Sequence, residues 1–397
     1  MEVFMIFSSY AIGNFTFFFP FHLDYMFFDA FVNGCYTIVR KYFGYLDFGQ
    51  KIMSGEGVLC LTFGKRCAML KITKWLFLEE KGRLFMYRIG LIGAGIIVVD
   101  HINAIEKTDV CQVVAVADIN EEKAKSAAQR CGCAYFTDYK AIDVEMDAVI
   151  ISLPHFLHCE ATCYFLEKGI HVLLEKPMAN TSEECERMIA AAKANNAKLA
   201  IGHVQRFVPA NQALKKIYDE KTYGPLLMTS ERRNIFYFAD SRPRWFLFKA
   251  QAGGGIAMNY GAHAMDKLFS LMGEDVVDVH GNVGNQLNDY DIEGHAQFFV
   301  KFANGVSSTV TFSGCHSFAS NETTYYFTDA AVRVDGGKIL VAKDGNFEEL
   351  EIEPGIGSFE QQLIEFVKLM EGKESMSPTG EYGAKIIRVI EQVYQEK

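Results

Sequence analysis

The stretch from Arg88 to Asp118 constrains the fold of this chain most strongly. It opens with a short apolar run, Ile89 to Ile92, which leads into Gly93-Ala94-Gly95. A helical pattern follows, and a second apolar run, Val113 to Ala117, ends on the acid Asp118. Strand, glycine turn, helix, strand and terminal acid make up a dinucleotide-binding βαβ unit, in which the helix N-terminus faces a pyrophosphate and the acid binds ribose hydroxyls. We therefore predict a nicotinamide-cofactor site here.

The glycine motif of this unit is incomplete, because Val98 occupies the third glycine position of G-x-G-x-x-G. The spacing supports the prediction nonetheless, since Asp118 follows the turn by about 20 residues, as expected for a ribose 2′-hydroxyl acceptor. The alternative is an ordinary glycine turn of an α/β protein, with Asp118 as a helix cap. A carboxylate also repels a 2′-phosphate, so the sequence favours NAD over NADP.

Composition and charge limit the function classes that need be considered. The 397 residues suggest two or three domains, and the net charge of −10 argues against nucleic-acid and anionic-membrane partners. Ten cysteines without a C-x-x-C pair indicate reduced thiols in a cytoplasmic protein. His155, His158, Cys159 and Cys163 lie close together, but their run is typical of an amphipathic helix, and we predict no metal.

Residues 1–85 differ in composition from the remainder. They contain 21 aromatic residues, against 32 among the 312 residues that follow. Val3 to Leu23 lacks charged side chains and has the length of a membrane span, although Gly13, Asn14 and Pro20 argue against one. We expect an extension that is not a natural domain, with the protein beginning at Met86. The alternative is a genuine membrane-associating or partner-binding extension.

From Met86 onwards, strands and helices alternate, which predicts a doubly wound, mostly parallel Rossmann sheet over residues 86–205. The predicted elements are a helix capped by Asn120, a strand at Asp147 to Leu153, a helix at Cys159 to Lys168, a strand at His171 to Leu174, a helix begun by Thr181 and Glu184, and a strand at Lys198 to Gly202. Ligands of such sheets gather at the carboxyl ends of the strands.

Residues 206–397 follow a different pattern, with many β segments and few helices between them. The predicted strands are Leu226 to Arg233, Val276 to Val283, His295 to Phe302, Gly305 to Phe312, Thr323 to Thr328, Ala331 to Val334 and Lys338 to Ala342, and the predicted helices are Phe359 to Glu371 and Glu381 to Gln395. Asn304-Gly305 is a strong hairpin signal. We predict an α+β domain with a mainly antiparallel open sheet, whose exposed face favours a homodimer or homotetramer.

Three motifs together carry a resemblance to a known family. Gly93-Ala94-Gly95, Glu175-Lys176-Pro177 and the glycine-rich run from Gly253 to Asp266 stand in the order and spacing found in the glucose-fructose oxidoreductase and myo-inositol dehydrogenase family. The resemblance extends over nearly all of residues 86–397. It implies NAD(P)-dependent oxidation or reduction of a sugar, cyclitol or related hydroxyl compound, with the family's catalytic lysine at Lys176 and its histidine at His263. Relatives that reduce biliverdin or oxidise dihydrodiols leave the substrate class open.

The chemistry that the resemblance implies needs these residue types. Hydride transfer from a secondary alcohol releases a proton, for which a histidine such as His263, with an ordinary pKa of about 6.5, is a suitable acceptor. Lys176 is placed to stabilise a developing alkoxide. The residues expected to bind the cofactor are Gly93, Ala94, Gly95, Ile96, Asp118, Glu175 and Lys176. Those expected to line the substrate pocket are Arg206, Trp245 and Tyr260, the first two having structural roles as their alternatives.

The chain departs from the family pattern at Asn259, where the companion aspartate of the histidine would stand. An amide orients a hydroxyl or an imidazole, but it neither accepts a proton nor raises a histidine pKa by charge. Either His263 works with Lys176 alone, which we favour, or Tyr260 supplies an acid. Two function classes follow: an oxidoreductase acting on a small polyhydroxylated substrate, or an NAD(H)-binding regulatory or assembly protein with impaired catalysis.

Overall fold

The computed structural model describes residues 2–3, 21–22, 57–63, 66–72, 86–285, 290–315 and 318–395. The chain divides into two units, Met1–Phe85 and Met86–Lys397. In the first unit, β1 (Glu2–Val3) pairs antiparallel with β2 (Phe21–His22), and β3 (Gly57–Phe63) pairs antiparallel with β4 (Arg66–Ile72). Most of the run from Val3 to Leu23 lies outside the described residues, so the predictions for residues 1–85 stay predictions.

The second unit begins with a six-stranded sheet in which all neighbouring strands are parallel. Its strands are β5 (Tyr87–Ile92), β6 (Cys111–Ala117), β7 (Ala134–Phe136), β8 (Ala148–Ile151), β9 (His171–Leu174) and β10 (Leu199–Ile201), in the spatial order β10-β9-β8-β5-β6-β7. The helices that connect them are α1 (Val98–Thr108), α2 (Glu121–Cys131), α3 (His158–Leu166) and α4 (Ser182–Ala194). This is the predicted doubly wound Rossmann arrangement.

Alternate residues of the strands pack into two different cores, as expected for a parallel sheet covered on both faces. Ile150 packs with the buried residues of α1, whereas Ile151 packs with those of α3 and α4. The predicted caps also form: the Asn120 side chain accepts from the Lys123 amide at the start of α2, and the Thr181 hydroxyl accepts from the Glu184 amide at the start of α4. These caps satisfy backbone N–H groups that have no partner inside the helix.

The second sheet has eight strands and is antiparallel except where β11 and β14 pair parallel. Its strands are β11 (Leu226–Asn234), β12 (Val276–Gly284), β13 (His295–Phe302), β14 (Ser307–Ser313), β15 (Ser320–Phe327), β16 (Ala331–Asp335), β17 (Lys338–Ala342) and β18 (Glu348–Leu350). The hairpin predicted at Asn304-Gly305 joins β13 to β14, with Gly305 at φ 88°.

Five further α-helices lie in the described part of this second unit. They are α5 (Pro209–Asp219), α6 (Lys249–Ala252), α7 (Ile256–Met272), α8 (Ser358–Met370) and α9 (Gly380–Gln395). The sequence pattern predicted few helices between the β segments and gave no signal for α5, α6 or α7. Almost every residue of α7 is buried, so this helix has no polar face to produce the periodic pattern of an amphipathic helix. No helix of the described ranges is long and apolar enough to cross a membrane.

Candidate active site

The turn after β5 admits only glycine at its first position. Gly93 has φ 98°, a region that side chains other than glycine rarely adopt. A Cβ added there would lie 2.7 Å from the backbone oxygen of Ser152. The Ser152 hydroxyl also donates to the Gly93 carbonyl at 3.0 Å, which joins the ends of β5 and β8. Gly93 therefore lets the chain turn while two strand ends remain in close contact.

Gly95 lies in open surroundings at the start of α1. A Cβ added there would meet no atom within 4 Å, and α1 begins without a side-chain cap. Anions bind such helix N-termini, and a small residue allows close approach. Val98, which replaces the third glycine of the motif, is buried with Ile89 and Ile102 in the core. The departure from the motif therefore fills the core and leaves the turn unchanged.

Asp118 follows the neighbouring strand β6 and forms a hydrogen bond with the same turn. Its carboxylate accepts from the Ala94 amide at 2.7 Å and from the Asn120 amide at 2.8 Å. Ile96 and Ile119 beside these groups are 79% and 93% exposed, which provides apolar surface next to the acid. The open turn, the uncapped helix and the oriented carboxylate fit a nicotinamide dinucleotide, which these residues would hold by its pyrophosphate and ribose.

Glu175 and Lys176 follow β9 at the same edge of the sheet. Glu175 Oε1 lies 2.9 Å from Nε2 of the buried His101 in α1, and Glu175 Oε2 accepts from the Lys176 amide at 3.2 Å. The peptide bond between Lys176 and Pro177 is cis. These contacts tie the lysine backbone to the helix that follows the glycine turn, and so place the lysine beside the predicted cofactor site.

The Lys176 side chain is half-buried and points towards α7, a helix of the half that contains the eight-stranded sheet. Its Nζ donates to Oδ1 of Asn259 at 2.8 Å. His263 lies four residues further along α7, on the same helix face as Asn259. The Tyr260 ring centroid lies 6.1 Å from that of His263. The structure thus brings together four of the predicted site residues: Lys176, Asn259, Tyr260 and His263.

Burial changes the protonation of the two titratable groups predicted to act in catalysis. Burial, with smaller contributions from Arg233 and Arg242, lowers the pKa of Lys176 to about 8, although Glu175 acts in the opposite direction. Burial and the nearby Lys176 hold the pKa of His263 well below its usual 6.5. At neutral pH His263 is therefore neutral, and Lys176 titrates close to the pH at which an enzyme works.

Two of the remaining predicted residues contact other parts of the fold. Arg206 bonds the buried Asp266 of α7 at 3.3 Å and stacks 4.3 Å from the centroid of the Tyr382 ring. Trp245 packs edge-on against His155, with 4.7 Å between ring centroids. These contacts agree with the structural roles that were the alternatives for both residues, and their assignment to the substrate pocket stays a prediction.

The structure adds residues that sequence reasoning did not assign to the site. His203 lies two residues after the end of β10 and is buried. Burial, Arg206 and Lys176 hold its pKa well below the usual value. His155 follows β8, is buried with its Nδ1 3.0 Å from the Ala252 carbonyl, and has a pKa held well below the usual value by burial and His158. Both lie beyond the carboxyl ends of parallel strands, where ligands of such sheets gather.

A parallel Rossmann sheet with a glycine turn, a strand-end acid and a strand-end lysine at one edge is typical of nicotinamide-dependent oxidoreductases. Comparison with protein families gives the narrower assignment. Residues 87–203 match the GFO_IDH_MocA oxidoreductase family with an NAD-binding Rossmann fold, and residues 211–335 match the C-terminal domain of the same family. The chain belongs to this family, as the three sequence motifs indicated.

Similar proteins include dehydrogenases and reductases. The chain is 32% identical over 179 residues to 1-carboxy-3-chloro-3,4-dihydroxycyclohexa-1,5-diene dehydrogenase of Comamonas testosteroni, an alignment that spans 45% of each protein. It is 25% identical to 1,5-anhydro-D-fructose reductase of Ensifer adhaerens, over 75% of this chain and 92% of the relative. Aldose-aldose oxidoreductase of Caulobacter crescentus, solved with glycerol, shares the fold with a TM-score of 0.72 at 24% identity, over 78% and 97% of the two chains.

Proposed function

We propose that the chain is an NAD-dependent dehydrogenase or reductase that interconverts a secondary hydroxyl and a carbonyl on a small polyhydroxylated compound. The named relatives support this substrate class, since they act on a dihydroxylated ring or on anhydro and aldose sugars. The observation that carries the proposal is the Lys176 amine, held 2.8 Å from Asn259 Oδ1 beside the glycine turn.

Lys176 is the proton carrier of the proposed reaction. A bound nicotinamide supplies the hydride acceptor or donor. In the oxidative direction, neutral Lys176 accepts the hydroxyl proton as the C–H bond yields its hydride, and in the reductive direction protonated Lys176 returns a proton to the carbonyl oxygen. A group with a pKa of about 8 suits both directions near neutral pH.

Asn259 and His263 position the reacting groups in this proposal. The Asn259 amide oxygen accepts from the amine and fixes its direction without adding charge. His263 Nδ1 is buried without a hydrogen-bond partner in the described part of the chain, so the neutral imidazole is available to a substrate hydroxyl. The sequence assigned the proton transfer to His263. We propose Lys176 for this role instead, because an imidazole with a strongly lowered pKa is a weak base.

The proposed preference for NAD rests on Asp118. Its carboxylate already lies at the glycine turn, bonded to the Ala94 amide, where it accepts from ribose hydroxyls and repels a 2′-phosphate. The same proposal assigns cofactor binding to residues 86–205 and substrate binding and oligomerisation to residues 206–397. It also includes a homodimer or homotetramer and a cytoplasmic location.

Turnover tests this function directly. Full-length protein is incubated with NAD or NADP and a panel of cyclitols, sugars and sugar derivatives, and nicotinamide absorbance is followed. We expect turnover with at least one compound and a preference for NAD. An NAD(H)-binding regulatory protein, the alternative function, would bind NADH tightly and turn over none of the panel.

A further inference from the structure

Two arginines lie beside the Lys176–Asn259 pair. The guanidinium carbon of Arg233 is 3.9 Å from the centroid of the Tyr260 ring, and that of Arg242 is 4.0 Å from the centroid of the Tyr237 ring. The two tyrosine rings are neighbours, with centroids 6.1 Å apart. Because Tyr260 directly follows Asn259 in α7, both guanidinium groups belong to the surroundings of the proposed catalytic amine.

Arg233 lies on β11, and its neighbours on this strand show which charges are paired. Side chains alternate between the two faces of a sheet, so Glu231 and Arg233 face α7 while Arg232 faces away. Glu231 bonds the buried Lys267 of α7 at 3.0 Å, and Arg232 bonds Glu322 at 2.6 Å. Arg233 makes no ion pair with a carboxylate of the described residues. A half-buried cation without a counter-charge is costly.

Arg242 shows the same lack of compensation. Its Nε is buried without a hydrogen-bond partner among the residues that the structure describes, and its guanidinium forms no ion pair there either. Buried donors in native proteins nearly always have partners, so an unsatisfied one calls for an explanation. Stacking on Tyr237 holds the guanidinium plane but satisfies none of its N–H groups.

The two arginines also contribute to the electrostatics of the site. Both lower the pKa of Lys176, and Arg233 lowers that of His263 as well, whereas Glu175 alone acts on Lys176 in the opposite direction. The site is therefore cationic, with neutral histidines. An anion bound between these groups would be stabilised by the excess positive charge.

We propose that Arg233 and Arg242 bind an anionic oxygen group of the substrate, a carboxylate or a phosphate, and so restrict the enzyme to acidic polyhydroxylated compounds. The inference rests on the proposed function, because it names the substrate class of the same site. Guanidinium groups match the paired oxygens of carboxylate and phosphate. Anchoring the charged end of the substrate leaves its hydroxyls to Lys176, Asn259 and His263.

The test uses three matched compounds, D-glucose, D-glucuronate and D-glucose 6-phosphate, and measures their binding to full-length protein saturated with NADH by titration calorimetry. We expect at least one anionic compound to bind about tenfold or more tightly than glucose, since a hydrogen bond to a charged group contributes this much. The two anionic compounds distinguish carboxylate from phosphate recognition. Equal affinities for all three, or binding of neither anionic compound, would overturn the proposal.

Variants locate the recognition. Arg233→Gln and Arg242→Gln are each expected to remove most of the preference for the anion, and Arg233→Lys to keep part of it. Arg232→Gln is the matched control, because Arg232 neighbours Arg233 on the outer face, and it should keep the full preference. Thermal unfolding of each variant verifies that it is folded. Equal weakening of all three compounds in both glutamine variants would contradict the assigned role.

The same variants separate this inference from the proposed function. Turnover of neutral compounds as efficiently as acidic ones would overturn the inference and leave the oxidoreductase assignment standing. Arginine-dependent binding of the anion without any turnover would support the anion site and count against the proposed reaction.

Discussion

Lys176 Nζ donates a 2.8 Å hydrogen bond to Asn259 Oδ1, and this contact joins the edge of the parallel sheet to the buried helix of the second half. The lysine comes from a strand end beside the cofactor turn, and the asparagine from a helix packed on the second sheet. The proposed hydride transfer requires the proposed cofactor site and substrate site to meet at one group. The contact places that group in a partly buried environment with a lowered amine pKa.

Asn259→Asp tests this contact. A carboxylate in place of the amide favours the charged amine, so it raises the pKa of Lys176 above about 8. Alcohol oxidation needs the neutral amine, and its pH profile should therefore move to higher pH while activity is retained. Asn259→Ala is the control, because it removes the hydrogen bond without adding charge and should lower turnover without the alkaline shift. Identical midpoints for wild type and Asn259→Asp would contradict the contact's role.

Gly93 and Gly95 should respond differently to alanine. At Gly93 the positive φ and the Ser152 carbonyl 2.7 Å from an added Cβ oppose any side chain, so Gly93→Ala should lower the free energy of unfolding by about 1–3 kcal/mol or more. Gly95→Ala meets no neighbouring atom and should leave stability within about 0.5 kcal/mol of wild type. Urea unfolding measures both.

The Gly95→Ala variant, although stable, should bind the cofactor less tightly. The added methyl group keeps the pyrophosphate from approaching the turn, and we expect NADH affinity to fall about tenfold, equal to about 1.4 kcal/mol. Fluorescence titration with NADH is the measurement. Undiminished affinity in a stable Gly95→Ala protein would place the cofactor elsewhere.

Asp118→Asn should relax the preference for NAD. Asparagine keeps the shape of the side chain beside the Ala94 amide but loses the charge that repels a 2′-phosphate. The ratio of kcat/KM for NAD to that for NADP should fall about tenfold, equal to about 1.4 kcal/mol. Asp143→Asn is the control, because Asp143 is an exposed acid in the same Rossmann half, and it should leave the ratio unchanged. An unaltered ratio in Asp118→Asn would remove Asp118 from cofactor selection.

Buried neutral histidines should make the fold sensitive to acid. The pKa of His203 in the folded protein is held well below 6.5 by burial, so below pH 6.5 the unfolded chain binds a proton that the folded chain does not. Stability must then fall as pH drops from 7 to 5, at up to about 1.4 kcal/mol per pH unit for each such group. His203→Gln should reduce this slope.

The matched control for His203 is His280, whose side chain is 61% exposed. Urea unfolding at pH 5 and pH 7 is compared for wild type, His203→Gln and His280→Gln. An acid slope that His203→Gln leaves unchanged would show that His203 takes up its proton in the folded state.

The parallel half of the fold was predictable because its signals are local. A strand such as His171–Leu174 is a short apolar run followed by a turn, and a helix start such as Thr181 is set by a side chain three residues from its bonding partner. Nothing beyond neighbouring residues is needed for these two inferences. Lys176, by contrast, was assigned through the resemblance of Glu175-Lys176-Pro177 to the family motif, and its place after a parallel strand fits the rule that ligands collect where such strands end.

Helix α7 was not predictable in this way. Its residues are buried on nearly all sides, so no polar face reveals a helical period, and Gly261 lowers its intrinsic helix propensity. The pairing of Lys176 with Asn259 joins residues 83 positions apart. The uncompensated charges of Arg233 and Arg242 also depend on distant contacts, because only the packed structure shows which carboxylates they lack. His155 and His203 both follow the strand-end rule, and a fuller use of that rule would have found them.

Replacement of Lys176 tests the central claim most directly. With a compound that wild type oxidises, Lys176→Ala should lose about 10²–10⁴-fold in kcat, the usual contribution of general acid–base catalysis, while NADH binding and thermal stability remain. Lys123→Ala is the control, because Lys123 is an exposed lysine in the same Rossmann half, and its kcat should equal that of wild type. Wild-type oxidation should also rise with pH through about 8, as the amine becomes neutral. Comparable turnover by wild type and Lys176→Ala would contradict the account.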